Sequence, residues 1–245
     1  MKKYKLILEY DGTAYLGWQS QLNDLSIQEV VEKALKKITK IKTNVHASGR
    51  TDSGVHAEAQ IAHFSSNSKM TARQFHRALN SMLPHDITIR DVVEVSKEFN
   101  SRRDAKSKIY RYTLLNRTYP SALHYKRCWY IYEKLNISNM KRAARLLVGK
   151  HDFHSFRAAK SSAKSSIKEI YSVVLKKRGD FLEITFEGNS FLKHMVRNLV
   201  GTLVWVGKGY FKYTDVVEIL NAKDRRKAGP TAPPQGLCLI KVIYD

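Results

Sequence analysis

Between residues 47 and 57 the chain reads ASGRTDSGVHA, which sets Arg50 and Asp52 two positions apart between Gly49 and Gly54. Glycine tolerates positive φ, so such a stretch can turn sharply and let its backbone approach a ligand closely. A carboxylate held at the turn, with a guanidinium two residues before it, stays ionised and is aimed by a charge-assisted fork. An ionised, positioned carboxylate serves as nucleophile or general base. The plain alternative is a hairpin turn in which Asp52 bonds its own backbone and Arg50 is solvated. Spacing alone leaves both open.

The flanking sequence predicts what positions this turn. Tyr4 to Tyr10 alternates and runs into Asp-Gly, a strand signature. Ser26 with Glu29 reads as a capping box opening a helix whose apolar residues Ile27, Val30, Val31, Ala34, Leu35 and Ile38 recur at helical spacing. Thr43 to Ala47 reads as a strand entering the motif and HAEAQIAHF as the strand leaving it, so the motif is a strand-to-strand turn. A second capping box, Thr71 with Gln74, opens a helix with Phe75, Ala78, Leu79 and Met82 inward and Pro84 as its stop; Ile87 to Val95 then alternates. The order is β-α-β-β-α-β.

The second half repeats that order without a residue-level repeat. KIYRYTLLN is a strand, NMKRAARLLVG a helix with Met140, Ala144 and Leu147 inward, and IKEIYSVVLKKRGDFLEITFEG a hairpin turning at 178–180. A helix begins at Ser190 and stops at Gly207, with Leu192, Met195, Leu199 and Leu203 inward. A short helix follows around Asp215 to Leu220, and LCLIKVIY closes the chain as a strand. The expected fold is α+β, with two ferredoxin-like β-α-β-β-α-β halves, residues 1–105 and 106–245, their antiparallel sheets joined across a basic active-site cleft. The run RAAKSSAKSSIK, 157–168, reads as a mobile basic loop.

Composition narrows the partners. The 245 residues carry a formal net charge of +21, spread along the whole chain, which points to nucleic acid over an anionic membrane surface. Two cysteines and no CxxC pair argue against a disulfide framework or a cysteine-based zinc site and fit a reducing cytosol. The apolar run at the start is broken by Glu9 and Asp11, so it reads as a strand and not as a signal peptide, and no apolar run reaches membrane-spanning length.

GRTDSGVHA resembles the signature of the tRNA pseudouridine synthase A family, in which the aspartate of GRTD is catalytic. YDGTAYLGWQ, SKIYRYTLLN, HDFHSF, FLKHMVRNLVG and TAPPQGLCLIKVIY are similar to further blocks of that family, in the family's order, over Tyr10 to Tyr244. The resemblance implies an isomerase that converts uridine to pseudouridine at tRNA positions 38 to 40, in the cytoplasm, as a homodimer and without a cofactor or metal. It implies Asp52 as the catalytic carboxylate, Tyr110 of IYRY against the target base, and Arg197 of MVR as the basic partner of the aspartate. Arg50 is implied at the flipped nucleotide, and Leu237 as an apolar wall beneath the uracil. Ser53 stands where the family is expected to carry alanine, a small-for-small exchange.

Within the same chemistry, the runner-up is a related pseudouridine synthase acting on other uridines. Two readings from other classes compete. A non-catalytic RNA-binding protein would share the ferredoxin-like architecture, but the sequence lacks the Lys/Arg-Gly-aromatic run of RNA recognition motifs. A metal-dependent hydrolase built on Asp52, His46, His56 and His63 matches no familiar ligand spacing, and strand alternation puts His56 and His63 on opposite faces.

Overall fold

The computed structural model describes residues 1–20, 25–158 and 165–244, and the fold is α+β. The chain divides into two compact units, Met1–Lys106 with Cys238–Asp245, and Ser107–Leu237. Residues 238–245, which a division after residue 105 assigns to the second half, belong to the first unit. No helix among the described residues is long and apolar enough to cross a membrane.

The first unit runs β1 (Lys2–Tyr10), α1 (Ile27–Thr39), β2 (His46–Ala47), β3 (His56–Ser66), α2 (Ala72–Asn80) and β4 (Ile87–Val95). Central β1 pairs antiparallel with both β3 and β4, and β2 pairs antiparallel with β3. The last strand, β10 (Leu237–Ile243), adds to β3 in parallel through Cys238 and Leu239. Alternation sends Tyr4, Leu6 and Leu8 to one face, where Tyr4, Phe64 and Phe75 pack with ring centroids 4.9 to 5.3 Å apart.

Three local expectations change in this unit. The first box is half made: Ser26 accepts from the Glu29 N–H, but the Glu29 carboxylate pairs with Lys33 at 2.7 Å, its i+4 neighbour. The strand expected over 43–47 shrinks to two residues, because the Val45 N–H goes to the Glu32 carboxylate instead of a ladder. Met82 is outside α2 and exposed, since the Asn80 side chain bonds both backbone groups of Ile89 and closes the helix early.

The second unit contains β5 (Ser107–Asn116), β6 (Trp129–Ile131), α3 (Ile137–Arg145), β7 (Gly149–Asp152), β8 (Ile167–Arg178), β9 (Phe181–Gly188), α4 (Met195–Gly207) and α5 (Asp215–Ala222). The strands β5, β9, β8 and β7 lie side by side, all antiparallel, and β6 runs parallel to the end of β5. Strands β6 and β7 were not legible in the sequence; at three and four residues they are too short to display a period. Of the run 157–168, residues 159–164 lie outside the described residues, while Ile167 and Lys168 already belong to β8.

Helix α4 begins at Met195, five residues later than expected. Ser190 bonds the Asn189 side chain instead of capping, and His194 takes the N-cap position in the left-handed region at φ 61°. The helix is apolar on almost every side, yet Asn198 within it is fully buried. Its amide donates to the Phe156 carbonyl at 2.8 Å, and its oxygen accepts from Thr231 at 2.7 Å and Arg225 at 3.1 Å. Truncation strands the buried Phe156 carbonyl and takes one acceptor from the partly buried Arg225 guanidinium. Asn198→Ala is therefore expected to lose about 2–4 kcal/mol in urea unfolding, and a loss near zero would show the hub to be dispensable.

Candidate active site

The 48–55 loop leaves β2 and returns as β3. A turn closed by Val55 N–H donating to the Asp52 carbonyl, at 3.2 Å, carries Gly54 in its third position at φ +75°. A β-turn with that sign of φ at its third position favours glycine, which accounts for Gly54. Gly49 is not in the positive-φ region, contrary to expectation; its part is to offer a carbonyl to Gln60. Arg50 is exposed. Asp52 is half-buried.

The backbone on either side of Asp52 is held by the segment 10–18. Trp18 N–H donates to the Thr51 carbonyl at 3.1 Å, and the Tyr15 carbonyl accepts from Gly54 N–H at 3.2 Å and the Ser53 hydroxyl at 3.3 Å. These contacts require two glycines. A Cβ on Gly12 would lie 2.0 Å from the Val55 carbonyl oxygen, and one on Gly17, which has φ +93°, 2.5 Å from that of Thr51. Two backbones touch there, and side chains cannot be inserted between them.

Beneath the loop lies a buried polar network. Tyr10 and Thr51 share a 2.8 Å hydroxyl–hydroxyl bond, and Gln60 accepts from Ser48 at 2.8 Å and donates to the Gly49 carbonyl at 3.0 Å. Tyr10, Ser48, Thr51 and Gln60 are all buried, and burial raises the Tyr10 phenol well above its ordinary range, keeping it protonated. Gln60→Leu keeps the volume and removes the bonds to residues 48 and 49. A misplacement of ~1 Å at a reacting group costs about 10²-fold. The variant is expected to lose most of its kcat with KM little changed; equal activity would dismiss the network as a positioning device.

In the second unit, Tyr110 sits on β5 opposite Phe186, largely buried, with its ring edge-to-face to Phe191 at 5.3 Å. Two residues on, Tyr112 is fully buried and donates to the Pro233 carbonyl at 2.7 Å. The segment 229–236 runs along α4 in backbone contact, where a Cβ on Gly201 would lie 1.7 Å from the Pro230 oxygen. Arg197 is clamped to it reciprocally: its Nε donates to the Ala232 carbonyl at 2.7 Å, and Ala232 N–H donates to the Arg197 carbonyl at 3.1 Å. Burial drives the Tyr112 phenol upward, and the nearby Arg197 charge opposes this in part. Leu237, buried, follows Gly236, which rests on the Tyr112 ring. Arg197, Tyr112 and the 232–237 segment are thus gathered in one place within this unit. The Gly12–Gly17 clamp and the Gln60 network escaped the sequence reading; the glycine spacing in YDGTAYLGW was their visible signal.

Residues 6–102 and 143–245 match the family described as tRNA pseudouridine synthase, and the chain belongs to that family. Among curated relatives, the tRNA pseudouridine synthase A of Thermoanaerobacter sp. (strain X514) is 47% identical over 244 residues, covering 100% of both chains. Those of Geobacter sp. (strain M21) and Myxococcus xanthus are each 45% identical, over 100% of this chain and 99% and 92% of theirs.

Proposed function

We propose that this protein isomerises uridine to pseudouridine at positions 38 to 40 in the anticodon arm of tRNA. The reaction breaks the N1–C1′ bond of a uridine, turns the freed uracil and joins C5 to C1′, while a proton leaves C5 and one is taken up at N1. It is redox-neutral and imports no group. Asp52 acts at the ribose as nucleophile or base. Tyr110 lies against the base, Arg197 pairs with the Asp52 carboxylate, Arg50 contacts the RNA beside the extruded nucleotide, and Leu237 forms an apolar wall beneath the uracil. The uridine is extruded at a cost of about a few kcal/mol that phosphate contacts from the excess lysines and arginines offset. We read both units as ferredoxin-like, a reading that the first unit's β-α-β-β-α-β order and its strand neighbours β4-β1-β3-β2 support. A cytoplasmic homodimer completes the proposal.

The observation that carries it is the immobilised backbone at Asp52, gripped by residues 10–18 above and the Gln60 network below. A carboxylate that must meet one sugar carbon needs that preorganisation; a solvated hairpin does not. The test uses unmodified tRNA transcripts tritiated at uracil C5. Tritium should appear in water in proportion to pseudouridine mapped at positions 38 to 40. Absence of release defeats the catalytic reading, and release with product mapped elsewhere defeats the position assignment.

A further inference from the structure

The first unit contains a concave site remote from Asp52 along the sheet. A cavity of about 360 Å³ opens where Lys3 of β1, the 42–46 segment and His63 and Ser65 of β3 converge. Sheet register places these groups together: Lys3 lies opposite Ser65, and His46 opposite His63, with the two imidazoles 5.3 Å apart. Lys3, Lys42, His46 and His63 supply nitrogen donors and Thr43 and Ser65 hydroxyls; none of the lining residues is acidic. At about 3.3 Å per residue, β3 carries His63 about 23 Å from His56, where the Asp52 loop re-enters the strand.

Resting on the tRNA reading above, we infer that this cavity is a phosphate site that anchors the tRNA backbone several nucleotides from the reacting uridine. The donor set suits a tetrahedral anion. Lysine brings a rotatable point charge, imidazole and hydroxyl bring directed N–H and O–H groups, and no lining residue carries a carboxylate. Lys3 is pre-positioned, its ammonium bonded to the Lys97 and Phe99 carbonyls. His63 is also held in place, with its Nδ1 accepting from Ser101 N–H at 3.2 Å. Burial first, then the charges of His46 and Lys3, depress His63 to about 4; only the second part of that shift comes from positive charge that an anion would offset. Asp104 opposes that field, but its carboxylate is already bonded to Arg103 and to Asn100 N–H, both at 2.8 Å. The volume lies in the lower part of the range for ligand sites, ~300–1,000 Å³.

The test combines Lys42→Gln with His46→Gln, two exposed positions that can be changed without opening the core. With unmodified tRNA, the variant should show KM raised about three- to tenfold, an unchanged kcat, and a plot of log affinity against log salt shallower by about one unit. In the wild type, inorganic phosphate at constant ionic strength should shift the His46 and His63 ring resonances saturably, and in the variant the His63 shift should vanish. Saturable phosphate binding with an unchanged tRNA salt slope would assign the cavity to a free phosphate ester and overturn the backbone anchor. No phosphate response and no slope change would overturn the site altogether. If the wild type binds tRNA with the steeper slope yet releases no tritium, the anchor stands and the catalytic reading falls.

Discussion

Asp52→Ala should abolish tritium release from C5-labelled tRNA, by at least about 10³-fold in kcat, with tRNA affinity kept within about threefold. The loss is large because the carboxylate is the group assigned to the sugar, and a water molecule there is neither charged nor held. The protein should nevertheless fold. The turn at this position is closed by the Asp52 carbonyl, which the substitution keeps, and Thr51 and Ser53 make the flanking contacts. Binding should survive for an electrostatic reason: removing a negative charge from a surface that meets phosphates does not weaken the attraction. Asp52→Asn, which keeps the shape and removes the charge, should be equally inactive. Turnover within about tenfold of wild type for either variant would sink the assignment, and parallel loss of turnover and tRNA binding would recast Asp52 as a structural residue.

Gly17→Ala should damage the same site from the other side of the contact. A left-handed φ costs a non-glycine residue about 1–2 kcal/mol. Here the added methyl would also stand 2.5 Å from the Thr51 oxygen and 3.0 Å from the Asp52 carbonyl carbon, so backbone must move. We expect a stability loss of about 2–4 kcal/mol and a Tm lower by about 5–15 °C. The residue displaced is Asp52 itself, so kcat measured well below that Tm should fall by about 10²-fold. Gly179→Ala is the control: Gly179 has φ +58°, but nothing lies within 4 Å of its added Cβ. It should cost about 1 kcal/mol from backbone strain and leave kcat unchanged. If both variants behave alike, the contact with Thr51 is not what holds the site.

The long periodic elements were open to reading from the chain alone. Helix α1 buries Ile27, Val31, Ala34 and Leu35, and α2 carries its full capping box, because a 3.6-residue apolar stripe and a side-chain cap are local properties. The hairpin between β8 and β9 turns where Arg-Gly-Asp predicted, with Gly179 in the left-handed region. Elements whose hydrogen bonds are decided by distant side chains were misjudged. Glu32 shortens β2 and Asn80 ends α2, and neither partner is within reach of a period or a local signal.

By itself, the sequence determined the α+β class, the turn that holds Arg50 and Asp52, and a charge suited to a polyanion, because each follows from residue type and short spacing. Only the tertiary structure decided how that turn is immobilised. Gly12 and Gly17 matter because another backbone lies against them, and Gln60 matters because Ser48 and Gly49 fold over it. It also joined Arg197 to Ala232. Residues far apart in the chain become partners only once the sheet has formed, so spacing can nominate a reactive side chain but cannot say what holds it.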